Sequence, residues 1–296
     1  MPPILMHDGI EKHGEPLTTP SPQRLWLFSG TGDGPALAVQ LLHQGWALRV
    51  SVVSPEAACA YGVHPRLELL VGPLGGSAEL LLQLQRARDQ LWPFRAVIDA
   101  THPFAVQIRR ELVEGCHQAG LPLLALARGD AGTAAAASIH WLDQLADLSA
   151  WSLEGEQLLF AIGARFLPQA IRLTPGAVHH ARVLPQPTAM RQALAAGVAA
   201  QRIACLRPTR KASDDSVEAA LVRRWNIGTI VARASGPPTE TLWRQVAERQ
   251  HCRLLLVRRP QPPLGARLLE QAELLQELAS WLQPVAPGGH GTCADG

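Results

Sequence analysis

Lysine is almost missing from this 296-residue chain: Lys12 and Lys211 are the only two, so nearly all of its positive charge is arginine. Two readings of that imbalance stand side by side. Codon bias in a GC-rich genome produces it with no functional cause. Alternatively, some of the arginines bind carboxylates, where a planar guanidinium fork outperforms an ammonium. Long apolar runs are also lacking. None reaches the ~18 residues that a membrane span needs, which argues against a membrane partner. The opening stretch MPPILMHDGIEKHGEPLTTPSPQR has no basic start followed by a sustained apolar core, so it does not read as a signal peptide. Cysteines at 59, 116, 205, 252 and 293 form no CxxC pair. That argues against a disulfide framework and a zinc site, and it fits a reducing cytoplasm. A net charge of +2 is too small to suggest nucleic acid. None of this bears on the number of subunits.

What is present is apolar: 47% of the residues are hydrophobic and 18% charged, ample for one large domain or two moderate ones. Residues 1–22 read as a disordered, Pro-rich extension, and 284–296 as a disordered tail. Between them strand and helix patterns alternate. RLWLF (24–28), ALRVSVV (47–53), LELLVG (67–72), AVIDA (96–100) and LPLLALA (121–127) read as strands. PALAVQLLHQG (35–45), SAELLLQLQRARDQL (77–91) and FAVQIRRELVEGCHQAG (104–120) read as helices. The pattern breaks near residue 130 at GDAGTAAAAS and then resumes. QLLFAIG (157–163), AVHHARVL (177–184), RIACLRP (202–208), GTIVARASG (228–236) and RLLLVRRP (253–260) are strand-like. SDDSVEAALVRRWN (213–226), TETLWRQVAERQ (239–250) and RLLEQAELLQELASWLQ (267–283) are helix-like. The expectation is an α/β protein with two Rossmann-like domains, 23–130 and 131–283, each a parallel sheet flanked by helices.

Two loops carry the chemistry. SGTGDG (29–34) joins the first strand to the first helix. Gly30, Thr31, Gly32, Asp33 and Gly34 stand where backbone can approach a phosphate at a helix N-terminus, though the spacing is G-x-G-x-G and a structural glycine turn also fits. Gly30 and Gly32 are the positions where a Cβ would obstruct a diphosphate. At the end of the second strand no acid precedes Glu56, which removes repulsion toward a 2′-phosphate and favours NADPH over NADH. Ser51, Ser54 and Arg49 are weaker candidates there. The second loop is VIDATHPFA (97–105). In a doubly wound sheet the first and fourth strands flank the point where strand order reverses, and ligands bind outside their carboxyl ends. Asp99, Thr101 and His102 then face a ligand. Capping of the helix near Phe104, with Pro103 in its first turn, is the structural alternative, and the two are compatible.

DATHPFA after a strand, SGTGDG near the start, and ASG plus VRRP near the end together resemble the precorrin-6A reductases of cobalamin biosynthesis. The resemblance covers roughly residues 24–283. It implies a two-domain enzyme that uses NADPH to reduce one double bond of a corrin-ring precursor, metal-free or cobalt-bound, in an interdomain cleft. It adds Ser235 and Gly236 to the cofactor set. The family often has Lys where Arg233 stands.

For that chemistry the cofactor carries the hydride and the protein supplies orientation and electrostatics. His102 is expected to orient the reacting groups or donate the proton, supported by Asp99 or Thr101, with solvent as the other proton source. Arg165, Arg207, Arg210, Lys211 and Arg233 follow strands of the second half and are expected to ring the cleft against the acetate and propionate groups of a tetrapyrrole. His179 and His180 are adjacent on a strand and point to opposite faces, so no metal site is expected.

Overall fold

The structure, a computed structural model, describes residues 22–30, 32–129, 139–207 and 216–283. The first half runs β1 (Arg24–Phe28), α1 (Gly34–Gln44), β2 (Ala47–Val52), α2 (Pro55–Ala58), β3 (Leu67–Val71), α3 (Ser77–Asp89), β4 (Phe94–Asp99), α4 (Val106–Ala119) and β5 (Leu123–Leu126). The second runs β6 (Ile139–Leu142), β7 (Gln157–Ala161), α5 (Leu167–Leu173), β8 (Val178–Val183), α6 (Pro187–Ala195), β9 (Ile203–Cys205), α7 (Val217–Arg224), β10 (Thr229–Arg233), α8 (Thr239–Arg249) and β11 (Arg253–Val257). Two elements remain, β12 (Arg267–Leu269) and α9 (Gln271–Leu282).

Local chemistry sets these boundaries. RLWLF is buried along its whole length, as a central parallel strand covered on both faces must be. Pro35 opens α1 and Gly45 closes it at φ 110°, a left-handed conformation that glycine adopts without strain. Among the described residues every strand pairs in parallel, in two sheets of order β12-β5-β4-β1-β2-β3 and β6-β11-β10-β7-β8-β9. Strand order reverses between β1 and β4 in one sheet and between β7 and β10 in the other. The two sheets share one winding, so each presents a switch point at its carboxyl edge.

Each sheet is covered on both faces. In the first, Leu37 and Leu41 of α1 cover one face, and Leu80 and Leu84 of α3 with Leu112 of α4 cover the other. In the second, Leu167 of α5 and Ala193 of α6 oppose Val222 of α7 and Leu242, Trp243 and Val246 of α8.

The structure departs from the sequence expectations at four points. The pattern 267–283 is not one helix: residues 267–269 pair with β5, and the helix starts at Gln271. Leu274 and Leu278 of that helix are fully buried in the core of the first sheet. The division at 130/131 therefore misassigns the end of the chain, because β12 and α9 complete the first half. Strand β6 was not expected either; as a four-residue edge strand it has too little periodicity to stand out. Helix α4 begins at Val106 and not at Phe104, for a reason given below. Among the described residues, no helix is long and apolar enough to cross a membrane.

Candidate active site

The register of β1 against β4 sets Phe28 beside Asp99, and the Ala100 N–H donates to the Phe28 carbonyl at 2.9 Å. The SGTGDG and DATHPF loops therefore leave the sheet side by side, as the strand order required. Asp99 is 4% exposed, and each of its oxygens is used. Oδ1 accepts the Thr101 N–H at 2.9 Å and the Thr101 hydroxyl at 2.6 Å, while Oδ2 accepts Arg109 Nε at 3.0 Å. A buried carboxylate needs such partners. The result is a clamp that fixes the turn leading to His102. Arg109, from α4, is the partner that sequence reasoning missed. It lies ten residues on, and only folding of α4 against β4 brings it back.

Phe104 explains the late start of α4. Its side chain is 8% exposed and belongs to the core of the second half, not the first. The Arg233 guanidinium lies 5.0 Å from its ring and 5.5 Å from that of Phe166. Arg165 stacks on Phe166 at 4.7 Å and donates from Nη2 to the Phe104 carbonyl at 3.1 Å. The DATHPF loop thus belongs to one sheet by its backbone and to the other by its phenylalanine.

A second junction lies at the carboxyl ends of β5, β10 and β11. Arg259 donates to the carbonyl of Arg128 at 2.6 Å and to that of Ala234 at 3.2 Å. Gly236 adopts φ +80°, and a Cβ there would meet the Gly129 carbonyl at 3.0 Å and the Arg259 side chain at 3.4 Å. Here glycine is required twice over, by conformation and by close approach.

Four arginines, Arg233, Arg128, Arg165 and Arg259, act together on His102. Desolvation and then these charges push the imidazole pKa down to about 3. His102 is an exposed residue, so the direction carries the inference: the imidazole is neutral at pH 7. Its Nδ1 accepts the Phe104 N–H at 3.2 Å, which leaves Nε2 to carry the proton. Arg233 is itself lowered, to about 10, by desolvation and by Arg165. A partly desolvated cluster of guanidinium groups of this kind attracts anions.

Residues 24–283 match the family described as "Precorrin-6x reductase CbiJ/CobK". The chain belongs to this family. Cobalt-precorrin-6A reductase of Synechocystis sp. is 33% identical over 242 residues, 80% of this chain and 88% of that protein. Precorrin-6A reductase of Mycobacterium tuberculosis is 40% identical over 118 residues, which span 38% of this chain and 43% of that one. The solved structure described as "CobK precorrin-6A reductase" superposes with a TM-score of 0.67 at 25% identity, covering 87% of this chain and 97% of that one.

Within this reductase fold the sequence-derived candidates sort unevenly. Asp99, Thr101, His102, Arg165 and Arg233 meet around the DATHPF loop. Gly30, Gly32, Asp33 and Gly34 lie beside it, and Thr31 falls outside the described residues. Gly30 and Gly32 face open space: a Cβ at Gly30 would have no neighbour within 4 Å, and one at Gly32 only Arg128 at 3.9 Å. Gly34 differs, since a Cβ there would overlap the Ser29 hydroxyl, so packing alone requires it. Ser235 is 7% exposed. Ser51 already accepts Trp26 Nε1 at 2.9 Å, and Ser54 caps α2 by accepting the Ala57 N–H at 3.3 Å. Arg49 is bound to Glu68 on the neighbouring strand. Arg207 is exposed after edge strand β9, two strands from the switch point, and does not join the arginines around His102. Arg210 and Lys211 lie outside the described residues. His179 bonds to Thr174 at 2.9 Å and stacks on Phe160, whereas His180 faces Trp225, the opposite sides expected of neighbours on a strand. Arg128 and Arg259 were missed, although both follow strands, as Arg165 and Arg233 do.

Proposed function

We propose that this protein uses NADPH to reduce one ring double bond of precorrin-6A, or of its cobalt-bound counterpart, in the crevice between the two switch points. The observation that carries this reading is the arginine cluster that joins the two halves: Arg165 and Arg233 on Phe104 and Phe166 beside the DATHPF loop, and Arg259 on the carbonyls of Arg128 and Ala234. The glycine loop fits the cofactor. Gly30 and Gly32 leave open space before the N-terminus of α1, and Asp33, at the N-cap, makes no side-chain cap bond to that helix. Bound there, NADPH supplies a hydride. The chain's own groups then bind and orient. Arg165 and Arg233 offer their guanidinium edges to substrate carboxylates while their faces rest on Phe104 and Phe166. Thr101 and Asp99 hold the His102 turn, and His102 offers an Nε2–H donor to the reacting region. A neutral imidazole supports an orienting role for His102, with solvent as the source of the proton. Ser235 and Gly236 close the crevice from the second half.

The absence of an acid from Arg49 to Ser54, with none before Glu56, supports NADPH over NADH, and kcat/KM should be higher with NADPH. The four described cysteines are free thiols, in keeping with a reducing cytoplasm. The decisive experiment follows the nicotinamide absorbance with precorrin-6A, with cobalt-precorrin-6A and with simple carbonyl compounds. Consumption only with a tetrapyrrole is the expected result. Consumption with the carbonyl compounds would indicate another NADP-dependent reductase on this architecture, and binding without consumption a nucleotide sensor.

A further inference from the structure

Asp33 occupies the N-cap of α1, where an aspartate ordinarily accepts from the first helical N–H groups. It does not: its side chain makes no cap bond. Its Oδ2 lies instead 3.0 Å from Nη2 of Arg128, a residue 95 positions later, just past β5. The same Nη2 lies 3.9 Å from where a Cβ of Gly32 would stand, so the guanidinium overhangs the glycine loop. Arg128 is mostly buried, at 16% side-chain exposure, and its carbonyl is held by Arg259 from the second half. It is therefore anchored from behind, with its charged end over the loop.

A carboxylate left free at this N-cap would compete with any incoming phosphate. It would occupy the helix N–H groups and add a negative charge beside them. Arg128 removes both obstacles by drawing the carboxylate aside and neutralising it. Its fork has five N–H donors and can serve an oxyanion as well as Asp33.

We propose that Asp33 and Arg128 form a counter-ion switch for the cofactor phosphates: Arg128 holds the Asp33 carboxylate off the α1 N-terminus and shares its guanidinium with the arriving diphosphate. Asp33 acts as the placeholder anion, and Arg128 contacts the cofactor. This inference rests on the NADPH reading above and adds two residue roles to it.

The test is a double-substitution cycle read by the fluorescence of NADPH on titration, with Tm measured in parallel. Arg128→Met frees Asp33 beside the phosphate site and should weaken NADPH binding about tenfold or more. Asp33→Asn frees Arg128 and should tighten binding by about threefold, with a steeper loss on adding salt. The pair Asp33→Asn/Arg128→Met should bind better than Arg128→Met alone, because the repelling charge is gone. A pair that merely braces the loop behaves otherwise: both single changes weaken binding and lower Tm, and the double change rescues nothing. That result, or an Arg128→Met protein that binds NADPH like the wild type, overturns the switch. Should Arg128→Met fail to fold, tighter binding by Asp33→Asn supports the switch and weaker binding overturns it. A wild-type protein that does not bind NADPH removes the cofactor reading and this inference with it; wild-type binding without the expected order of variants removes the switch alone.

Discussion

His102 shows at the residue scale how neighbours decide a role that the residue type leaves open. An imidazole near its ordinary pKa of about 6.5 is a ready proton donor. Desolvation and four guanidinium groups deny His102 that form. His102→Ala should therefore slow the reduction while leaving NADPH affinity nearly unchanged, and the pH profiles of variant and wild type should run parallel from pH 6 to 8. A limb near pH 6.5 in the wild type that vanishes in the variant would restore the imidazolium donor. Stability carries the same signature. The unfolded imidazole takes up its proton as pH falls below about 6.5, whereas the folded one stays neutral to much lower pH. Below 6.5 the unfolded state thus binds more protons and stability falls, down toward the folded value near 3. His102→Asn should lose less Tm than the wild type between pH 7 and 5. His179 and His180 shift in the same direction, desolvation first, and contribute equally to both proteins.

Turns and helix starts decide more than single side chains do at the element scale. The Asp99 clamp ties the end of β4, the Thr101 turn and the first turns of α4 into one unit. Arg109→Met strips a buried carboxylate of its counter-ion and should cost about 3–5 kcal/mol, measured by urea unfolding. The glycines of the first loop separate by the same physics. Gly34→Ala drives a methyl into Ser29 and should cost about 1–3 kcal/mol. Gly32→Ala meets little and should stay within about 0.5 kcal/mol. Gly32→Val tests the loop's other duty: NADPH binding should weaken several-fold with the fold intact.

For the whole molecule, the chain crosses between the halves twice, once after β5 and once after β11. The second crossing returns β12 and α9 to the first sheet. Leu274 and Leu278 are fully buried there, and Gln44 donates to the Leu275 carbonyl at 3.0 Å. Residues 22–129 alone, though they hold the glycine loop and the DATHPF loop, lack a flanking strand and part of one face. That fragment should show little cooperative unfolding by circular dichroism and little NADPH binding. Adding residues 264–283 in trans should recover part of both. A stable, NADPH-binding 22–129 fragment would show that the return crossing serves only to join the halves.

Much of this was legible in the sequence because it is local. Apolar runs of strand length, helical periodicity, Pro35 at a helix start and Gly45 at its end specify their elements within a few residues. Alternation of those elements is enough to imply parallel sheets and to set SGTGDG beside DATHPF. Only the tertiary structure decided what depends on distant partners. Residue 267 reads as helix until β5 offers it a ladder. Phe104 reads as a helix residue until the second core takes its ring. Arg128 reads as one arginine among many until Asp33 leaves its helix to meet it. In each case the local preference amounts to a few tenths of a kcal/mol per residue, and burial or charge pairing across the fold outweighs it.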